Sequence, residues 1–331
     1  MKTVDLLISK PPSGGRGLMA VKAILQVREL TLFALILVIC AVMTLMTPYF
    51  LSSANFRALS IGLVPTAIIV VGMTVLLVSG GFDLSVGSVM ALAGTVAALM
   101  VINGVPIWIA VLLTLALGMI IGIGNGLLVT LVGINPLVAT LGTMSVTRGS
   151  ALVLTEGRSV GNLPKEFGYA GDAAWAGLPL MVIIMMVIVV AGDVALRHAR
   201  YMRQVYYVGA NEGAAKLSGI LVTRVRVFAY ALTGFLAALA GLLLSSRLQA
   251  GTPTAGNGLE LQVLAAAVIG GAGLGGGAGT VFGAFLGVVF VGLINNTMTM
   301  LQVSVLWQIV VAGVILLVAV ALDTLLRHIS R

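Results

Sequence analysis

Residues 58–102 read ALSIGLVPTAIIVVGMTVLLVSGGFDLSVGSVMALAGTVAALMVI, and this stretch decides the fold class. Two apolar runs, 58–78 and 84–102, flank a short glycine-rich turn that contains the only carboxylate of the stretch, Asp83. Each run has about 20 residues, which is the length that a helix needs to cross a bilayer. The stretch therefore predicts two membrane-spanning helices joined by a tight turn.

The composition of the whole chain agrees with this interpretation. Its 331 residues are 60% hydrophobic and only 8% charged, whereas a soluble domain carries roughly a quarter charged residues. A soluble globular protein is therefore excluded. We predict an all-α, polytopic integral membrane protein with about ten transmembrane helices, and a range of eight to ten. The apolar runs are 30–47, 58–78, 84–102, 106–132, 136–155, 178–195, 224–246, 260–271, 277–296 and 305–326.

The first and the eighth run differ from an ordinary internal span. Run 260–271 is short enough to be a re-entrant or broken segment. Run 30–47 follows a basic segment, as the apolar part of a signal peptide would. We expect it to be an uncleaved span, because Thr47, Pro48 and Tyr49 stand where a cleavage site would have small residues.

Positive charge is concentrated in three segments. Eighteen Lys and Arg against ten Asp and Glu give a net charge of +8, and most of the basic residues lie near the termini or between Arg197 and Arg226. Clustering between spans follows the positive-inside rule and does not indicate a nucleic-acid partner. Six spans separate the first basic segment from the second, and ten separate it from the third. All three segments therefore lie on one side of the membrane, and both termini are predicted to be cytoplasmic. The predicted divisions are a cytoplasmic segment 1–29, a transmembrane domain 30–326 with a cytoplasmic loop 196–223, and a cytoplasmic tail 327–331.

Glycines recur at helical spacing in two apolar runs. Residues four apart stack on one face of a helix and let another backbone approach closely. We expect these glycines to serve helix packing within the subunit, and a specific dimer interface is the alternative. The two triplets are Gly118, Gly122 and Gly126, and Gly279, Gly283 and Gly287.

A weak internal repeat is also present. A span ends at a glycine-rich turn that opens directly into another span at 78–87, and again at 269–277. Transporters often contain duplicated broken-helix elements of this kind. Glycine is also common in membrane helices, so a chance origin stays equally open.

Catalytic and nucleotide-binding motifs are missing from the sequence. No Gly-x-x-x-x-Gly-Lys-Ser/Thr occurs, and Gly271, Gly273 and Gly276 match Gly-x-Gly-x-x-Gly without the acidic residue that should follow. The two histidines, His198 and His328, lie in basic segments and form no metal-ligand pattern. We therefore predict that the chain is not an enzyme and carries no cofactor of its own.

Few ionisable groups lie near the bilayer. Asp83 is predicted to cap the helix that follows it, with direct contact to a solute as the alternative. Arg148 lies within an apolar run and is expected to pair with a backbone carbonyl or an acid. No carboxylate is predicted near the midplane, where an ion-driven carrier would keep one. The energy for transport is therefore expected to come from another subunit.

The loop 196–223 contains a short helical pattern. Asn211 has the character of a helix cap, Glu212 lies in the first turn, and Gly219 stops the helix. Such a helix either docks in a groove of another protein or lies on the bilayer surface, and the residues alone leave both open.

Several of these motifs together resemble a known family. Gly80–Ser88, Tyr207–Ile220 and Pro253–Leu261, followed by Gly270–Gly279 and the pair Asn295–Asn296, occur in order along the chain. In this they resemble the ribose/xylose/arabinose-type permeases of bacterial ATP-binding-cassette importers. The resemblance runs from about residue 30 to the end of the chain.

The resemblance implies a permease subunit in the bacterial inner membrane. Two copies, or this chain and a paralogue, would form the path. A cytoplasmic ATPase would bind ATP and Mg, and a periplasmic sugar-binding protein would deliver a ribose-like pentose or related sugar. The candidate path residues are Gly81, Asp83, Ser85, Thr143, Arg148, Asn295 and Asn296.

By the same resemblance, the segment 209–219 is the coupling helix that docks on the ATPase, with Glu212, Ala214 and Ala215 at the contact. Its candidate residues are Gly209, Ala210, Asn211, Glu212, Ala214, Ala215, Leu217, Ser218 and Gly219. The alternative function is an ion-independent or ion-coupled secondary carrier for a neutral solute, and a channel-like or structural protein is more distant.

Overall fold

The computed structural model describes residues 28–329, and the chain is almost entirely helical there. Residues 1–27 of the predicted N-terminal segment, and residues 330 and 331 of the predicted tail, lie outside the described residues. The helices are α1 (Arg28–Met46), α2 (Ser53–Val78), α3 (Val86–Ile102), α4 (Ile107–Leu127), α5 (Pro136–Thr155), α6 (Tyr169–Asp172), α7 (Leu180–His198), α8 (Arg200–Ala210), α9 (Glu212–Leu217), α10 (Val222–Leu248), α11 (Leu259–Ile269), α12 (Val281–Met300) and α13 (Val305–Ile329).

Short irregular elements complete the chain. A π-helical turn, Leu128–Val132, continues α4, and a 3₁₀ turn, Lys165–Gly168, precedes α6. The strands β1 (Ala174–Trp175) and β2 (Leu178–Pro179) form a small antiparallel hairpin before α7. The chain between α5 and α7 therefore contains no element long enough to be a further span.

The predicted all-α polytopic architecture is confirmed. Within residues 28–329, seven helices have the length and apolar composition to cross a membrane: α1, α2, α4 with its π-helical extension, α5, α7, α10 and α12. The shorter apolar helices are α3, α11 and an apolar part of α13. All ten apolar runs of the sequence are thus helical.

The doubtful eighth run is a half-length helix. α11 has 11 residues, which at 1.5 Å per residue is about 16 Å, and the hydrocarbon core of a bilayer is about 30 Å thick. Gly258, with a φ of 77°, precedes α11, and the glycine-rich residues 270–280 follow it. α11 is thus the broken segment that its length predicts.

The centre of the molecule is α10, which packs against α2, α3 and α4. The backbones of α4 and α10 come close because the facing residues are small. A Cβ added at Gly122 would lie 2.9 Å from the carbonyl carbon of Tyr230 and 3.0 Å from Ala231 Cα. At Gly126 it would lie 2.8 Å from Val227 Cα, and at Gly118 it would overlap Ala238. The first glycine triplet therefore lies on one face of α4, against α10.

The second glycine triplet is divided, and its prediction was wrong for one member. Gly283 and Gly287 lie on α12 against the backbone of α11 and its C-terminal end, at Gly270 and Ala266. Gly279 is outside the helix, because Thr280 caps α12 by accepting a 3.0 Å hydrogen bond from Gly283 N. With a φ of 137°, Gly279 has a backbone conformation that interrupts the helical spacing.

Candidate functional site

The predicted coupling segment 209–219 is two helices rather than one. Gly209 and Ala210 are the last residues of α8, and only Glu212–Leu217 form α9. Between them, Asn211 caps α9, because its Oδ1 accepts a 3.0 Å hydrogen bond from Ala214 N. Gly219, with a φ of 79°, follows the helix. The predicted cap at Asn211, first turn at Glu212 and stop at Gly219 are therefore confirmed, whereas Gly209 and Ala210, which the resemblance included in the coupling helix, belong to α8.

The helix α8 was missed by the sequence analysis. Its inner face carries Val205 and Val208, which are 0% and 1% exposed. Tyr206 lies beside them and donates a 2.7 Å hydrogen bond to the carbonyl of Gly279. Apolar residues at three-residue spacing on an otherwise polar segment were the signal that could have revealed this helix.

The two sides of α9 have different surroundings. Leu217 is 92% exposed and Ala214 is also exposed, whereas Ala215 is 3% exposed and packs in the main core. Ala215 was expected at the surface of the coupling helix, so this expectation was wrong. The exposed side of α9 therefore presents Ala214 and Leu217.

Glu212 belongs to an ion-pair cluster within the chain. Its carboxylate lies 2.7 Å from Lys216 Nζ and 2.8 Å from Arg226 Nη2. The hydrogen bond from Lys216 lowers the pKa of Glu212, and the charges of Arg226 and Lys216 lower it further against the opposing effect of burial. Glu212 is therefore ionised at neutral pH and bound to α10.

The end of α8 contacts two glycine-rich connections, the α2–α3 turn (residues 79–85) and the α11–α12 loop (residues 270–280). Gly277 N, in the loop, donates a 2.8 Å hydrogen bond to the carbonyl of Val78, at the end of α2. A Cβ at Gly209 would overlap that same carbonyl oxygen and lie 2.6 Å from Gly277 N. The two stretches of the weak internal repeat thus meet at Gly209, which has no room for a side chain.

A buried polar cluster begins within the α2–α3 turn, at Asp83. Asp83 is 1% exposed and accepts hydrogen bonds from Ser85 N at 2.7 Å, Ser85 Oγ at 2.6 Å and Asn125 Nδ2 at 3.1 Å. Thr143 Oγ1, on α5, donates to Asn125 Oδ1 at 2.5 Å. The structure therefore brings together the predicted residues Asp83, Ser85 and Thr143. Ser85 is the N-cap of α3, so Asp83 holds the residue before the helix rather than capping its first turn.

Asn125 was missed, although it is the only amide in the apolar run 106–132. A direct contact between α3 and α5 joins Ser88 Oγ and Thr147 Oγ1 at 2.6 Å. Gly81 lies close by, where a Cβ would be 3.3 Å from the hydroxyl of Tyr230. The polar groups thus fix α3 against both α4 and α5.

Arg148 pairs with backbone carbonyls, as expected. Its Nη1 donates hydrogen bonds to Pro253 O at 2.7 Å and to Ala255 O at 2.8 Å. Both acceptors lie in the connection between α10 and α11. Arg148 therefore ties α5 to the segment that precedes the half-length helix.

Asn295 and Asn296 form a separate group on α12. Asn296 Nδ2 donates a 2.8 Å hydrogen bond to Asn55 Oδ1 on α2. Asn295 and Asn296 line a cavity of about 230 Å³ between α2, α11 and α12, together with Gln262, Thr66 and Thr299. Apart from Arg148, the predicted path residues therefore lie in two groups, one around Asp83 and one around this cavity, which we call the amide cavity.

Comparison with known proteins decides the family. Residues 56–320 match the family described as branched-chain amino acid transport system / permease component. The chain belongs to this permease family. The permease is 39% identical to the ribose import permease protein RbsC of Bacillus subtilis (strain 168) over 296 residues, covering 89% of this chain and 91% of that relative.

Other relatives give the same picture. The ribose import permease protein RbsC of Escherichia coli (strain K12) is 39% identical over 88% of this chain and 92% of its own length. The L-arabinose transport system permease protein AraH of the same strain is 35% identical over 90% of both chains. No solved structure matches the permease. The resemblance to ribose- and arabinose-type permeases is thus confirmed, and the chain is a multi-pass permease of the bacterial inner membrane.

Proposed function

We propose that this permease is the membrane-spanning subunit of an ATP-binding-cassette importer for a ribose-like pentose or a related small sugar. The observation that carries the proposal is the 39% identity, over nine-tenths of the chain, to permeases named for ribose import. The relative named for L-arabinose transport supports the same class of substrate.

The proposed partners supply the functions for which this chain has no sequence motif. A cytoplasmic ATPase binds ATP and Mg and hydrolyses ATP, since the sequence contains no P-loop. A periplasmic sugar-binding protein delivers the sugar, and a second permease, identical or paralogous, completes the path. The permease itself acts as a transporter subunit and not as an enzyme.

In this proposal α9 is the ATPase contact and the helices behind it carry the movement. The exposed Leu217 and Ala214 provide an apolar surface for a groove on the ATPase. The C-terminal end of α8 at Gly209 abuts both the α2–α3 turn and the α11–α12 loop. A displacement of α9 by the ATPase therefore reaches the ends of α2 and α11, which adjoin the two glycine-rich connections.

The amide cavity is the proposed passage for the sugar on this side of the subunit. Its volume of about 230 Å³ is below the range of roughly 300–1,000 Å³ for drug-sized ligands, which suits a small sugar. Amide and hydroxyl groups both donate and accept hydrogen bonds, as the hydroxyls of a neutral sugar require.

Replacing Leu217 by aspartate tests the ATPase contact. We expect the amount of ATPase that co-purifies with the Leu217→Asp permease to fall about tenfold or more relative to wild type. The reason is that a carboxylate buried without a partner weakens an apolar contact. The measurement is mass spectrometry of proteins that co-purify with the tagged permease in mild detergent.

The matched control is Leu178→Asp. Leu178 is 54% exposed and lies in the β1–β2 hairpin, which precedes the N-terminal end of α7, whereas α9 lies beyond its C-terminal end. The control variant should retain the wild-type amount of ATPase. Equal retention by both variants would contradict the α9 contact. A wild-type permease that is purified alone, with uptake abolished by an uncoupler while ATP is maintained, would instead support a secondary carrier.

Replacing Asn295 by leucine tests the amide cavity. Loss of one hydrogen bond to the sugar is worth about 1 kcal/mol, so we expect the maximal uptake rate to fall about fivefold while ATPase binding stays unchanged. The control is Asn103→Leu, at an exposed asparagine whose amide donates only to Leu99 O. The assay is sugar uptake into proteoliposomes with the ATPase and the binding protein present, and an unchanged rate for Asn295→Leu would exclude this cavity from the path.

A further inference from the structure

Arg226 contacts two separate parts of the chain from its position in the second turn of α10. Its Nη2 lies 2.8 Å from Glu212 Oε2 on α9, and its Nε donates a 3.3 Å hydrogen bond to the carbonyl of Ser79. The side chain is 21% exposed. The guanidinium thus lies between α9 and the α2–α3 turn.

Ser79 O is one of the carbonyls at the C-terminal end of α2, where Ser79 is the C-cap residue. Such carbonyls have no partner within their own helix, and a cation there is also favoured by the helix dipole. Arg226 supplies both the donor and the positive charge. Its contact with Ser79 is therefore matched to the electrostatics of the helix end.

The far side of the α2–α3 turn is bound to the same helix. One turn further along α10, Tyr230 donates a 3.2 Å hydrogen bond from its hydroxyl to the carbonyl of Phe82. The next residue is Asp83, which holds Ser85 and Asn125. The turn is therefore held at Ser79 by Arg226 and at Phe82 by Tyr230, directly before Asp83.

Both contacts of Arg226 depend on the shape of a guanidinium. Its donors form a rigid planar fork, which lets Nη2 bind the carboxylate while Nε binds the carbonyl. A lysine ammonium is a single point charge on a flexible stem. Lysine would keep the charge near Glu212 without holding both partners in one fixed geometry.

We propose that Arg226 is a positioning residue that transmits the displacement of α9 to the α2–α3 turn and so couples ATP hydrolysis to sugar movement. This inference rests on the proposed function, because it takes α9 as the ATPase contact. Arg226 contacts neither the sugar nor the ATPase in this proposal. It sets the position of the turn from which α3 and the Asp83 cluster start.

The test is the number of ATP molecules hydrolysed per sugar imported by the reconstituted importer. We expect Arg226→Met to retain ATPase at the wild-type stoichiometry and to hydrolyse ATP, but to import sugar about tenfold more slowly. The ratio of ATP to sugar should therefore rise about tenfold. Arg226→Lys should raise the ratio about threefold, because it keeps the charge without the fork.

The matched control is Arg224→Met, two residues earlier on α10 at an exposed position. It removes the same charge and should leave the ratio unchanged. A wild-type ratio for Arg226→Met would overturn the inference. So would a parallel loss of bound ATPase and uptake, because Arg226 would then act in docking alone.

Two further outcomes are separable from these. Where Arg226→Met is not recovered from membranes, Arg226→Lys decides, and an unchanged ratio for that variant overturns the inference. Failure of the proposed function is detected in the wild-type permease, which would then show neither bound ATPase nor ATP-driven uptake. A coupled wild type with fully coupled Arg226 variants would refute only the role of Arg226.

Discussion

Replacement of Gly122 by valine is expected to lower the recovery of folded permease about tenfold or more, whereas the same change at Gly124 is expected to leave it unchanged. A side chain at Gly122 has no space, because its Cβ would overlap the carbonyl oxygen of Tyr230 and lie 3.0 Å from Ala231 Cα. The neighbouring atoms are backbone atoms of α10, which is the central helix, so they cannot rotate away. The two helices would have to separate along their whole contact.

The measurement is the yield of monodisperse protein by size-exclusion chromatography of the tagged permease in mild detergent. Overpacking of a close contact costs at least about 1–3 kcal/mol, so we expect the Gly122→Val peak to fall by about tenfold or more. Gly124 is the control, since a Cβ there meets nothing within 4 Å. Similar yields for the two variants would show that the α4–α10 contact tolerates separation.

Replacement of Asp83 by leucine is expected to have the second large effect. The change leaves two buried donors, Ser85 N and Ser85 Oγ, without an acceptor. It also removes one of the two acceptors of Asn125 Nδ2, which still donates to Ser85 Oγ at 3.0 Å. Each buried donor left unpaired costs about 1–3 kcal/mol. We therefore expect the midpoint of thermal unfolding to fall by about 10 °C and sugar uptake to be lost, because the turn before α3 loses its hydrogen bond to α4.

Two variants serve as comparisons for Asp83→Leu. Asp83→Asn keeps one acceptor oxygen for Ser85, so its unfolding midpoint should fall less. Asp172→Leu removes an exposed carboxylate, 62% exposed and paired with Arg247, and exposed ion pairs contribute only about 0–1 kcal/mol. Equal unfolding midpoints for Asp83→Leu and Asp172→Leu would mean that the polar cluster contributes little to the fold.

The position of Asp83 also bears on the choice between importer and carrier. The sequence predicts this carboxylate at the boundary between two spans, and in the structure it is 1% exposed and surrounded by hydrogen-bond donors. The hydrogen bonds from Ser85 N, Ser85 Oγ and Asn125 Nδ2 explain the burial of Asp83 by a structural role. Loss of stability together with uptake in Asp83→Leu is the result expected of an anchor, whereas a coupling site would lose uptake with the fold unchanged.

Some features were determined by the sequence alone because they depend on neighbours along the chain. The length of an apolar run sets whether a helix can cross the bilayer, so all ten helical runs were predicted, including the half-length α11. The cap at Asn211 and the stop at Gly219 are likewise local, since each acts on backbone groups within a few residues. The order of motifs also indicated the permease family.

Only the tertiary structure decided which residues meet. Asp83 and Asn125 are 42 residues apart, and Arg226 reaches the carbonyl of Ser79 across 147 residues. The direction of the Ala215 side chain likewise depends on packing against distant segments. Spacing along the sequence does not predict these contacts, because they depend on how closely the glycine faces let α10 approach its neighbours. The helices follow from local chemistry, and the contacts between them follow from the packing of their backbones.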